Sequence, residues 1–227
     1  MCNLFSVDCI WFTTLGYPMS YIEFVGTVFY LLSVWLIAKR NMLTWPTGII
    51  SVILYMILFY QIQLFSDTLE QAYYLVVSIY GWITWNAASK KPEETGEFRF
   101  NDRINIFIGV GVTLVLTLAL YGITSNIHLL LPTLFLEKAS FPFLDALTTM
   151  MSFTAMWLMA RKRVESWVYW IIVDVIGIGL YYVKEVRFIS LLYVILLVMA
   201  VYGFWNWARK VAPAWKWSWG MRKISTH

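Results

Sequence analysis

Trp35-Leu-Ile-Ala-Lys-Arg-Asn-Met-Leu-Thr-Trp45 and Trp157-Leu-Met-Ala-Arg-Lys-Arg-Val-Glu-Ser-Trp167 are one pattern written twice, 122 residues apart. The register runs on without a gap in both directions. Glu23 falls on Asp145, Thr27 on Thr149, Tyr60 on Tyr182, the Tyr80-Gly81 step on Tyr202-Gly203, and Trp85 on Trp207. Over 64 positions there are 15 identities, and too many are Trp, Tyr and Gly for shared hydrophobicity to account for them. An internal repeat in a chain this apolar is a signature of transporters whose substrate site lies between the two halves.

Composition places the chain in a membrane. It is 60% hydrophobic and 13% charged, with a mean hydropathy of +0.68, against about 25% charged residues in soluble domains. The two cysteines, Cys2 and Cys9, are too few for a disulfide framework and read as a stray thiol pair. Residues 1–20 hold only Asp8 as a charge and lack the basic start of a secretory leader.

Seven apolar stretches reach the roughly 20 residues that cross a bilayer: 21–38, 43–61, 67–87, 104–123, 142–160, 166–184 and 188–208. They must be helical, because backbone polar groups in lipid are satisfied within the segment or by barrel closure. No alternating barrel strands occur. With seven spans, 14 of the 17 Lys and Arg residues fall on one side, which leaves only Lys138, Lys184 and Arg187 on the other. By the positive-inside rule the N-terminus is outside and the C-terminus cytoplasmic.

The fold expected is an all-α membrane protein of seven transmembrane helices in a 3+1+3 arrangement. Its parts are an N-terminal segment (1–20), a first three-helix repeat (21–87), a cytoplasmic linker (88–103), a linker transmembrane helix (104–123), an external loop (124–141), a second three-helix repeat (142–208) and a basic, aromatic cytoplasmic tail (209–227). Three helices reverse the direction of the chain, so the odd linker helix restores it and the two repeats insert parallel to one another.

The outstanding polar residue is Asp174, mid-way along the sixth span. A carboxylate at the bilayer centre costs about 2.5–3.5 kcal/mol on insertion scales, so it calls for a partner or a water-filled cavity. Steps of three and four residues put Trp167, Trp170, Asp174, Gly177, Tyr181 and Lys184 on one helical face. An acid among aromatic rings suits a flat, cationic or hydrogen-bonding ligand. The matching face of the second span carries Trp45, Gly48, Val52, Tyr55 and Phe59, with Val52 where the other half has Asp174. Gln71 and Tyr74, with Tyr193 and Asn206, offer directional hydrogen bonds that could hold either a ligand or a neighbouring helix. Glu23 and Asp145 are paired by the repeat near the outer span ends; they read as gates or as acids favoured by the helix dipole.

Trp45-Pro-Thr-Gly48, Tyr55, Phe59, Asp67, Leu69-Glu70-Gln71-Ala72-Tyr73-Tyr74, Tyr80-Gly81-Trp82 and Trp85 resemble the PnuC family of bacterial vitamin transporters. So do Trp167, Trp170, Asp174, Leu180-Tyr181, Lys184, Leu192-Tyr193, Gly203 and Trp207 in the second half. The resemblance covers about residues 21–210 and is especially close to the nicotinamide riboside branch. It implies a fold akin to SWEET transporters, a homotrimer in the bacterial inner membrane, and facilitated diffusion by alternating access. It also implies trapping of the nucleoside through phosphorylation by a cytoplasmic nicotinamide riboside kinase. Thiamine, riboflavin and, from the SWEET architecture, sugars are the competing substrates.

No cofactor, metal or nucleic-acid partner is expected, and no catalytic residue. There is no HExxH, and the two histidines, His128 and His227, lie outside the spans. A chromophore-bearing receptor would need a Lys mid-span, and the chain has none.

Overall fold

The computed structural model describes residues 3–14, 16–90, 98–126 and 141–221. Most of the expected loop 124–141, the linker residues 91–97 and the side chains of Trp215, Trp217 and Trp219 lie outside them. Seven helices are described: α1 Tyr21–Ala38, α2 Thr44–Gln61, α3 Phe65–Lys90, α4 Arg103–Thr124, α5 Pro142–Ala160, α6 Ser166–Val183 and α7 Arg187–Met221. Six are long and apolar enough to cross a membrane. The helix outside that set is α3, which carries Asp67 and Glu70 near its start. The tail expected from residue 209 continues as helix to Met221.

A two-stranded antiparallel hairpin within the N-terminal segment 1–20 precedes α1. Its strands are β1 Ile10–Thr14 and β2 Tyr17–Ser20, joined through Gly16 at φ +79°. Trp11 stacks on Tyr21 and meets Phe24 edge-on, which seats the hairpin on the start of α1. Ser20 caps that helix by accepting from the Glu23 amide. Cys9 beside it is buried and disulfide-bonded, not a stray thiol.

The repeat is visible in the backbone. Among the described residues, the four non-glycine residues with positive φ are Arg40, Gln63, Lys162 and Glu185, which form two pairs 122 residues apart. Each follows a helix end in the same way. Arg40 and Asn41 amides donate to Ile37 and Leu36, while Lys162 and Arg163 donate to Met159 and Leu158. Gln63 and Leu64 donate to Tyr60 and Phe59, as Glu185 and Val186 do to Tyr182 and Tyr181. This paired closure of the last turn in left-handed geometry satisfies carbonyls that would otherwise be orphaned. A left-handed non-glycine residue costs about 1–2 kcal/mol, so its recurrence at equivalent positions marks a shared backbone design.

Within each half the helices pack in sequence, α1 on α2 on α3 and α5 on α6 on α7. Between halves α3 packs on α5 and α1 on α7, which closes a six-helix ring. The remaining helix, α4, sits against α5, where the Thr113 and Thr154 hydroxyls are 2.8 Å apart.

Candidate functional site

One end of the ring carries the loops with Lys39-Arg40 and Arg161-Lys162-Arg163, and is here termed the basic end. Its core is a buried cluster that includes Trp45, Trp85, Trp167 and Trp207 with Ile37, Ala38, Met159 and Ala160. Trp45 meets Trp85 edge-on at 5.4 Å, and Trp167 meets Trp207 edge-on at 5.5 Å. Gly81 and Gly203 are required there, because a Cβ on either would collide with the indole of Trp45 or Trp167.

Bonds cross the seam between halves at this end. Trp85 Nε1 donates to the Ala160 carbonyl at 3.0 Å and Trp207 Nε1 to that of Ile37 at 3.0 Å. Asn206 Nδ2 donates to the Ala38 carbonyl at 2.7 Å. Trp35 stacks on Tyr202, and Tyr80 on Trp157. Phe98, from the linker, lies between Trp85 and Trp207 at 5.4 and 4.6 Å. Its segment is pinned to the second half, since the Val164 amide donates to the Arg99 carbonyl and the Asn101 amide to Glu165.

Three of the expected site residues therefore serve the closed basic end in this conformation. Trp45 and Trp167 are 2% and 1% exposed, with indole nitrogens that have no hydrogen-bond partner among the described residues, and Asn206 is bonded across the seam. Gly48 permits the approach of α2 to α1, with a Cβ there falling 2.9 Å from Ser33 Oγ. Trp170 packs half-buried on the rim of the cluster.

Deeper in the ring the arrangement is polar. Asp174 is 3% exposed and has no hydrogen bond or ion pair among the described residues. Tyr30 of α1 lies within its electrostatic reach, as does Tyr193 of α7. Tyr193 rests on Gly177 and stacks on Tyr181 at 5.4 Å. Tyr55 stacks on Phe59 at 5.7 Å, and its hydroxyl is 2.7 Å from that of Thr27. The Tyr74 hydroxyl donates to Glu70 on the preceding turn of α3, with Ser152 of α5 against the same hydroxyl. Tyr30, Glu70, Tyr74 and Tyr193 are each half-buried. Gln71 is half-buried on the same helix.

Tyr30 and Ser152 were missed from the sequence, and Glu70 entered it only inside a family motif, with no role of its own. Tyr30 extends the Glu23, Thr27 face of α1, and Glu70 stands four residues before Tyr74. Helical spacing could have found both; Ser152, one small hydroxyl in an apolar helix, gave no signal.

At the opposite end, Tyr17 of the hairpin donates to Glu23 at 2.6 Å, and burial with Glu23's charge pushes that phenol above its ordinary range. Lys184 Nζ is 4.0 Å from Asp145, both partly exposed.

Two sets of three helices with matching turns thus meet in one ring, in which Asp174 has no hydrogen bond or ion pair among the described residues. Residues 20–209 match the family model described as nicotinamide mononucleotide transporter. The chain belongs to this transporter family. The nicotinamide riboside transporter PnuC of Escherichia coli (strain K12) is 29% identical over 207 residues, which cover 85% of this chain and 87% of that protein. The riboflavin/roseoflavin transporter RibM of Streptomyces davaonensis is 24% identical over 185 residues, 82% of this chain and 83% of that one. Among solved structures, the crystal structure of the vitamin B3 transporter PnuC superposes with a TM-score of 0.64 at 26% identity. It covers 85% of this chain and 83% of its own. The PnuC resemblance read from the sequence is thereby established, and with it a multi-pass membrane transporter and not an enzyme.

Proposed function

We propose that this protein carries nicotinamide riboside across the bacterial inner membrane by facilitated diffusion. The observation that supports it most is Asp174, a buried carboxylate with no hydrogen bond or ion pair among the described residues, on a helix whose Gly177, three residues on, seats the Tyr193 ring. Leaving a charge so placed is costly unless something brings a counter-charge. The pyridinium of nicotinamide riboside is such a cation and stacks on aromatic faces. Its amide and ribose can use Gln71, Tyr74, Tyr55 and Tyr193.

The mechanism is alternating access. The 3+1+3 arrangement joins two parallel units, α1–α3 and α5–α7, through α4, and the units rock about the central site. In the conformation described, the tryptophan cluster closes the basic end, which the charge asymmetry puts in the cytoplasm. A disulfide at Cys9 agrees with an N-terminus on an oxidising side. Glu23 and Asp145 stand at the opposite entrance as gating acids. Phosphorylation by a cytoplasmic kinase then traps the nucleoside, and the working assembly is a homotrimer. Riboflavin is the second reading, on the strength of the RibM relative.

Titration calorimetry with nicotinamide riboside, riboflavin, thiamine and glucose tests the assignment. Tight binding of nicotinamide riboside alone, weakened in Asp174→Asn and Trp167→Phe, is the expected result. Preference for riboflavin would move the substrate and keep the carrier. Uptake into liposomes that requires a proton or sodium gradient would rule out facilitated diffusion.

A further inference from the structure

We propose that Phe98 is a latch on the basic end: a single ring from the linker, carried by the second half, that holds the first half to it and must leave the first half before that end can open. The inference rests on the alternating-access reading above and names a contact that controls it.

The ring stands where the two halves are most alike. Trp85 and Trp207 are repeat mates, and Phe98 meets both edge-on, at 5.4 and 4.6 Å. Arg40 and Lys162 are repeat mates too, and their cationic heads lie 6.0 and 5.7 Å from the same ring centroid. One indole and one cation therefore come from each half, and a single side chain serves all four. The repeat supplies no second ring, because the position equivalent to Phe98 is Gly220, within α7.

The backbone that follows the ring is not shared in this way. The Arg99 amide donates to the Lys162 carbonyl at 3.3 Å and the Val164 amide to the Arg99 carbonyl at 3.2 Å. The Asn101 amide donates to the buried carboxylate of Glu165. All three bonds go to the turn between α5 and α6. When the halves part, Trp85 and Trp207 separate and Phe98 cannot keep both; its backbone decides that it stays with the second half. Each ring and cation contact is weak enough to release, and together they bias an equilibrium between closed and open.

The test reads opening at the seam. Ala38 is fully buried there and its carbonyl accepts from Asn206 of the other half, so a thiol at this position reacts when the halves part. Labelling of Ala38→Cys by N-ethylmaleimide is timed in the full-length protein in detergent, with the same chain lacking that cysteine as the blank. Adding Phe98→Ala is expected to speed labelling about tenfold, the bias that one aromatic pair and one cation–π contact supply. Ser190→Cys is the control, buried near the start of α7 with a hydroxyl that bonds the Ile178 carbonyl inside the second half. Its labelling is expected to stay as it was. Phe98→Leu, which keeps apolar bulk and removes the ring, gives a rise in the same direction if the Ala variant does not fold.

Equal acceleration at both cysteines makes Phe98 a part of the general core and overturns the latch. A measurable rate at Ala38→Cys that Phe98→Ala leaves unchanged overturns it too, while alternating access stands. A thiol at position 38 that stays unreactive in every background overturns alternating access at this end, and the latch with it.

Discussion

At the basic end, Trp85 and Trp207 donate across the seam, Trp35 and Trp157 stack on Tyr202 and Tyr80, and Gly81 and Gly203 admit Trp45 and Trp167. Nearly every contact there has a twin 122 residues away. In the central cluster the twins are lost: Asp174 answers to Val52, Glu70 to Leu192, and Tyr193 to Gln71. Where the halves hold each other, both copies must fit the same partner and stay alike. Where the halves do not hold each other, each copy is free to differ. Even the seam shows one slip. Trp85 takes Ala160, but Trp207 takes Ile37, because Asn206 occupies Ala38. The equivalent of Asn206 is Thr84, whose hydroxyl turns back to the Tyr80 carbonyl of its own helix.

The largest test of this contrast is at the seam. Trp85→Ala and Trp207→Ala each remove a buried indole and a cross-half hydrogen bond, and each is expected to destabilise by about 3–5 kcal/mol. Thermal unfolding in detergent should show two losses of similar size. A large loss from one and none from the other would break the equivalence.

In the central cluster the same kind of change should behave in the opposite way. Asp174→Asn removes an unpartnered buried charge, so the fold is expected to be no less stable. Ligand affinity should fall by about 1.5–3 kcal/mol, the worth of hydrogen bonding to a charged group. Binding that survives while the protein unfolds earlier would make Asp174 part of the scaffold. It would then no longer differ in kind from the tryptophans.

This division also explains what could be read in advance. Spans were legible because length and hydropathy suffice for a helix in lipid, and the repeat was legible because Trp and Gly recur where an indole meets a backbone. Asp174 stood out by its cost. Periodicity placed Trp45 and Trp167 on the same stripe as Tyr55 and Asp174, yet depth along the helix separates them. The tryptophans lie at the closed end and the tyrosines inside. A one-dimensional pattern tells which face a residue occupies and not which neighbour from the other half covers it. The hairpin was missed for a related reason. Its pairing depends on Gly16 and on Trp11 finding Tyr21 and Phe24, a contact that no apolar run announces.

The smallest effects belong to the repeat-related acids at the hairpin end, which share a position and have different partners. Glu23 receives the Tyr17 hydroxyl at 2.6 Å in a partly buried site, so Tyr17→Phe is expected to cost about 1 kcal/mol. Because the phenol titrates above its ordinary range, that contribution should persist through neutral pH in an unfolding series. Asp145 instead faces Lys184 at 4.0 Å with both side chains more than a third exposed. Such a pair contributes about 0–1 kcal/mol and is screened by salt. Asp145→Asn should therefore shift unfolding less than Tyr17→Phe at low ionic strength, and the difference between wild type and variant should shrink further in salt. If the Asp145 variant instead slows uptake while unfolding is unchanged, the acid's value lies in the opening motion. The two ends would then differ in purpose, one holding the halves together and the other letting them part.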